Sequence, residues 1–207
     1  IPVGWLVGSV LRVRRRHVEM AMTRAGVPSP ATAARGMYTN LGRAFAELLW
    51  LAGQGPSAAA RLVAWGPGST EAFDAALAHG RGVVLAASHT GHWDAAACAV
   101  AARGPLLVVT KRLSMGGLDA FWQHVRRAAG VELAEARGAL ARARAALRDG
   151  AAVAMMIDQV PAHRQHAAVV PFLGADVWVD RAPFVLALAA GAPVVVAAAR
   201  RDGDRHV

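Results

Sequence analysis

The chain has 207 residues, 55% of them hydrophobic, and a formal net charge of +9. That length suits one domain with a helical extension and is enough to bury a real core. The single cysteine, Cys98, excludes an internal disulfide framework, and no run approaches the roughly 20 apolar residues that span a bilayer. The positive charge favours anionic partners. The arginines are not interleaved with aromatics, and no zinc-finger or RNA-recognition signature occurs, which argues against nucleic acid.

In chain order, residues 1 to about 65 read as helical. The apolar opening from Ile1 to Leu11 contains Trp5 and is followed by Arg12, Arg14, Arg15 and Arg16. This suits equally a helix lying at an anionic membrane surface and a packed first helix with a solvated basic face. Pro28-Ser29-Pro30 separates two helical stretches. The second, from Ala31 to Leu51, carries Met37, Leu41, Phe45, Leu48 and Leu49 at helical spacing. Gly66-Pro67-Gly68-Ser69 breaks the chain again before a helix running to Ala78.

From residue 66 onwards strands and helices alternate. Strands are expected at Val83–Ala87, Leu106–Thr110, Ala152–Ile157, Ala167–Val170 and Pro193–Ala198, and helices at about 94–102, 117–129, 137–148 and 182–190. The expected fold is therefore α/β, with a helical N-terminal region (1–65) followed by a mixed β-sheet layered by helices (66–207). The two parts are expected to form one continuous domain. The sequence starts at Ile1 and stops at Val207 in mid-pattern, as a piece of a longer protein would.

The chemistry concentrates at His89-Thr90-Gly91-His92-Trp93-Asp94, directly after the first strand. Ligands bind in the crevice beyond the carboxyl ends of such strands. Positions five apart do not share a helix face, so His89 belongs to the turn and Asp94 to the first turn of the next helix. Gly91 gives the bend between them. Asp94 is then expected to accept a hydrogen bond from one ring nitrogen and leave the other as a general base. His92 is the rival base. His89, His92 and Asp94 together suggest a metal site, but no third firm ligand and no H-E-x-x-H pattern accompany them. No G-x-S-x-G elbow, Walker A loop or dinucleotide fingerprint is present. Cys98 reads as a small buried hydrophobe, and His163 and His166 as exposed loop residues.

Further groups fall at strand and helix ends. Lys111 and Arg112 follow the second strand and suit phosphate or a solvated turn. Asp158-Gln159 follows the third strand, where a carboxylate must find a partner, an arginine being expected. Arg126 and Arg127 are adjacent, so at most one points into a site, and Arg126 is preferred.

His89-x4-Asp94 resembles the H-x4-D/E motif of the glycerolipid acyltransferase superfamily. In detail the chain resembles the bacterial lipid A biosynthesis (lauroyl/myristoyl) acyltransferases, with His92 and Asp94 in place of that family's Asn and Glu. Val109-Thr110-Lys111-Arg112, Arg126 to Gly130, Asp158-Gln159, Val170-Pro171-Phe172-Leu173-Gly174, and Leu188-Ala189 with Gly191-Ala192-Pro193-Val194-Val195 continue the resemblance in chain order.

The resemblance implies an O-acyltransferase that needs no metal or cofactor. It implies His89 and Asp94 as catalytic residues, with Gly91, Trp93, Lys111, Arg112, Arg126, Asp158 and Gln159 at the substrate. The implied donor is acyl carrier protein or acyl-CoA, and the implied acceptor a membrane lipid or glycolipid. The implied place is the cytoplasmic face of a bacterial inner membrane. Two other readings stay open: another acceptor (a lysophospholipid, ornithine lipid or mannoside), or a non-catalytic membrane-associated protein that keeps the fold.

Overall fold

The computed structural model describes residues 2–112, 116–161 and 163–207. Its helices are α1 (Pro2–Trp5), α2 (Arg15–Arg24), α3 (Pro30–Gln54), α4 (Ala59–Leu62), α5 (Ser69–Leu77), α6 (Trp93–Ala101), α7 (Gly116–Ala128), α8 (Ala139–Arg148) and α9 (Ala182–Ala190). Its strands are β1 (Val83–Ala87), β2 (Leu106–Thr110), β3 (Glu132–Glu135), β4 (Ala152–Met156), β5 (Ala167–Phe172), β6 (Ala175–Asp180), β7 (Val194–Ala197), β8 (Arg201–Asp202) and β9 (Arg205–His206).

The chain forms two compact units. One comprises residues 1–47 and 169–177; the other comprises 48–168 and 178–207. In the first, α1 leads into a π-helical turn, Leu6–Val10, before α2 and the first part of α3. Residues 48–65, read from sequence with the N-terminal helices, are counted in the second unit. The reason is packing: Leu48, Leu51, Ala58 and Ala59 share one buried cluster with Ala95, Cys98, Ala129 and Val131.

The second unit is built on a five-stranded sheet of order β3-β2-β4-β1-β7. Every neighbouring pair in it is parallel, so the mixed sheet expected from sequence is a parallel one. β8 and β9 make a separate antiparallel pair, and β5 and β6 a separate two-stranded sheet. Parallel strands need long crossovers, and here α6, α7 and α8 supply those between β1, β2, β3 and β4 in turn. The strands carry the apolar run that burial on both faces demands. Val83, Val84, Leu85 and Ala86 of β1 are all buried, as are Ala152, Val153 and Ala154 of β4. One face packs against Leu147, Ala143 and Leu186, the other against Phe73 and Ala76.

β3 and β6 are strands that the sequence reading passed over. β3 is four residues, with Glu at both ends and only Leu133 and Ala134 buried. Such a piece shows no usable period. β6, Ala175–Asp180, has no fully buried residue.

Parallel geometry has one functional consequence. The carboxyl ends of β1, β2, β4 and β7 all open at the same sheet edge. The residues that follow them, Ser88-His89, Lys111-Arg112, Ile157-Asp158-Gln159 and Ala198-Ala199, are thereby gathered in one place.

Gly82 starts this arrangement. Its φ is +63°, and a Cβ there would lie 2.5 Å from the Ala151 carbonyl oxygen. Gly82→Ala is expected to lower stability by about 1–3 kcal/mol, the cost of a strained left-handed residue. Urea unfolding measures this, and an unchanged midpoint would contradict the tight approach of Gly82 to the β4 entry.

Candidate active site

His89 sits two residues past β1, and Asp158 two residues past β4. The strands are in register, Ala87 opposite Met156, and the pairing continues one step beyond them, with Ile157 N–H donating to the Ala87 carbonyl at 2.8 Å. The two chains thus leave the sheet side by side. The Asp158 carboxylate holds His89 twice. Oδ2 accepts from the His89 backbone N–H at 2.7 Å, and Oδ1 lies 2.8 Å from ring Nδ1. A carboxylate accepts, so Nδ1 carries the proton and Nε2 is the free base. The Gln159 amide nitrogen lies 3.4 Å from that Nε2, a long contact that a substrate hydroxyl can replace. The Trp93 ring meets the imidazole edge-on, with centroids 5.1 Å apart.

Asp94 takes a different partner from the one expected. Its carboxylate accepts from Arg126 Nε at 2.7 Å, and the side chains are 10% and 16% exposed respectively. The ring bond foreseen for Asp94 is made by Asp158. The reason lies in the helix start: Asp94 is in the first turn of α6, buried beneath α7, where a guanidinium reaches it. Burial pushes the Asp94 carboxyl above the usual aspartate range, while Arg126 and then the His89 charge pull it down. Asp158, foreseen with an arginine partner, has His89 instead.

Arg126 also donates from Nη1 to Thr110 Oγ1 at 3.3 Å and lies over the Trp122 ring. Its neighbour Arg127 is exposed. Gly91 has φ +56°, and a Cβ there would collide with the Ala199 carbonyl, so the turn after His89 can approach the β7 exit only with glycine. His92 caps α6, its Nδ1 accepting from Ala95 N–H at 3.3 Å. It is 2% exposed and stacks edge-on with His206. Burial removes it as a rival base. Among the described residues no group of three His, Cys, Asp or Glu could hold a metal ion. Burial raises the Cys98 thiol to about 12, which leaves no thiolate at neutral pH.

Several of these groups border a cavity of about 930 Å³, within the range of small-molecule sites, while Gly91 and Asp158, expected at the substrate, are not among its lining residues. His89, Trp93, Asp94, Lys111, Arg112, Arg126 and Gln159 line it, and Leu118, Leu133, Leu140, Met155, Val185 and Leu186 give it apolar walls. Lys111 and Arg112 are exposed, and Arg112 pairs with Glu135 at 3.1 Å. Sequence reasoning gave no site role to Thr110, Gln123, Asp180 or Arg181, which line this cavity, and read His166 as an ordinary loop residue, although it too is a lining residue. Thr110 as a strand-end residue beside Lys111 was the one readable signal; Arg181 depends on the β6 strand, which left none.

The pair Asp94–Arg126 gives a pH-dependent prediction. A carboxyl whose folded value is raised contributes stability at low pH that is lost as pH rises through that value. Arg126→Met removes the main downward pull and leaves an uncompensated buried carboxylate. The variant is expected to lose about 3–5 kcal/mol at pH 7, and less at pH 4, since without Arg126 burial raises the Asp94 carboxyl further and favours its neutral form as pH falls. Urea unfolding at both values measures this; an equal loss at both would contradict the buried pair.

The comparisons with known proteins bear on this geometry. No curated protein matches the chain at a significant level. The family model for bacterial lipid A biosynthesis acyltransferases matches residues 3–207, which includes every residue of the cavity and both compact units apart from the first two positions. The chain belongs to the bacterial lipid A biosynthesis acyltransferase family.

Proposed function

We propose that the protein transfers a fatty acyl group from an acyl thioester, carried by acyl carrier protein or coenzyme A, to a hydroxyl of a membrane lipid or glycolipid. The observation that carries this reading is His89: a half-buried imidazole on the wall of a largely apolar cavity, fixed at Nδ1 by a carboxylate, with Gln159, also a lining residue, beside its Nε2. That is a general base beside a space suited to a hydrocarbon chain.

In this mechanism the acceptor hydroxyl displaces the Gln159 amide from His89 Nε2. Nε2 takes the hydroxyl proton as the oxygen attacks the thioester carbon. Asp158 stabilises the imidazolium and keeps the ring from turning. The tetrahedral oxyanion needs hydrogen-bond donors. Arg126 lines the same cavity and has N–H groups beyond those given to Asp94 and Thr110, so it serves as one. Collapse expels the thiolate, which takes the proton from His89. Asp94 acts through Arg126, holding the guanidinium in place. Lys111 and Arg112 at the rim suit the phosphate of a carrier's prosthetic group or of the acceptor.

The same proposal assigns the reaction to the cytoplasmic face of a bacterial inner membrane. Trp5, Leu6, Val10 and Leu11 are exposed beside Arg12, Arg14 and Arg16, the composition of an interfacial segment. Among the described residues no helix is long and apolar enough to cross a membrane.

Transfer of labelled acyl chains from acyl carrier protein to bacterial membrane lipids tests the reading. His89→Ala is expected to lower kcat by about 10²-fold or more. Asp158→Asn is expected to lower kcat by about tenfold or more with KM nearly unchanged, since it positions the base and touches no substrate. Activity unaffected by His89→Ala would remove the general-base mechanism.

A further inference from the structure

The unit formed by residues 1–47 and 169–177 has a cavity of its own. Arg12, Arg15, Arg16 and Arg35 line a surface cavity of about 570 Å³ together with Glu19. The carboxylate is already engaged: Arg15 Nε lies 2.7 Å from Glu19 Oε1, and Arg15 Nη1 donates to the Gly8 carbonyl at 3.2 Å. Arg35 donates to Thr32 Oγ1. Arg12 and Arg16 are exposed and have no carboxylate partner among the described residues. Four guanidinium groups therefore meet one carboxylate around a single space. Gathering like charges in this way is unfavourable until an anion enters.

The backbone here is unusual as well. Arg12 has φ +49° and Arg14 φ +52°, a region that residues other than glycine seldom adopt. Such conformations persist where their surroundings over-determine them, and they cluster at functional sites. The hydroxyl of Tyr38, itself buried, donates to the Val13 carbonyl and ties this turn to α3. Val13 N–H bonds to the Val7 carbonyl at 3.1 Å, and Arg15 N–H to that of Arg12 at 3.1 Å. The turn is thus fastened in the shape that brings Arg12 and Arg16 to the same cavity as Arg35.

We propose that this cavity binds a phosphate group, presented by the headgroup of an anionic membrane lipid. The guanidinium fork matches phosphate oxygens in pairs. The neighbouring chain favours a lipid as the bearer: Val10, Leu11 and Val13 are 51%, 61% and 49% exposed on the turn that carries the arginines. An anion site edged by apolar side chains fits a headgroup at a bilayer surface. This site shares no residue with the cavity of His89, and its occupancy requires no acyl donor. Its failure is therefore separable from failure of the acyltransferase reading.

The test measures binding of the full chain to phosphatidylethanolamine vesicles with and without phosphatidic acid, and with inorganic phosphate as competitor. The variant Arg12→Gln/Arg16→Gln/Arg35→Gln removes three charges from the cavity. Arg137→Gln/Arg144→Gln/Arg148→Gln removes three exposed charges elsewhere and leaves the cavity intact. The expected result is tighter binding to the phosphatidic acid vesicles, weakened about tenfold or more in the first variant and hardly changed in the second. Equal losses in the two variants would reduce the effect to net charge and overturn the site. Displaceable binding of inorganic phosphate, with no preference for phosphatidic acid vesicles, would overturn the lipid source.

Discussion

One carboxylate governs the position of the candidate base. Asp158 accepts both the backbone N–H and the ring Nδ1–H of His89, so a single side chain fixes where the residue sits and which nitrogen is bare. It arrives there because β1 and β4 are adjacent and in register up to Ala87 and Met156. The chain leading to Asp158 is held on the way: Ala152, Val153 and Ala154 are buried, and Ile157 is bonded to Ala87. The precision of the site derives from the sheet, and the loop after β1 adds the bend at Gly91.

The second carboxylate has a separate task. Asp94 is buried with Arg126, and a buried pair of this kind gains little stability over an apolar one. Its value is geometric. It holds a cation at the wall of a cavity whose other walls are mostly aliphatic, where a fixed charge acts more strongly than in water. His89 and Arg126 thus have one carboxylate each, one fixing the candidate base and the other the positive charge. The family membership and this division of labour point to acyl transfer, and both rest on residues that lie within the matched span.

Much of this was legible in the sequence, for physical reasons. Val83–Ala87 and Ala152–Ile157 announced themselves as buried strands, and His89 and Asp158 as groups just past their ends. Alanine-rich α6 and its glycine turn were equally plain. The strand order was not legible, because β4 inserts between β2 and β1 and no local pattern encodes that crossover. For that reason the partner of His89 was assigned to Asp94, five residues away in sequence, when the sheet brings Asp158 from 69 residues away. Adjacency allowed only one of Arg126 and Arg127 to face a site and did not choose between them; α7 turns Arg126 inward. β3, too short and capped by glutamates, hid the wall that contributes Leu133 to the cavity.

The most direct test of the central claim is the tautomer of His89, read from ring ¹⁵N chemical shifts in selectively labelled protein at a pH where the ring is neutral. The account predicts a protonated Nδ1 and a bare Nε2, with that preference lost in Asp158→Asn. A bare Nδ1, or a tautomer that ignores Asp158→Asn and responds to Asp94→Asn, would contradict it.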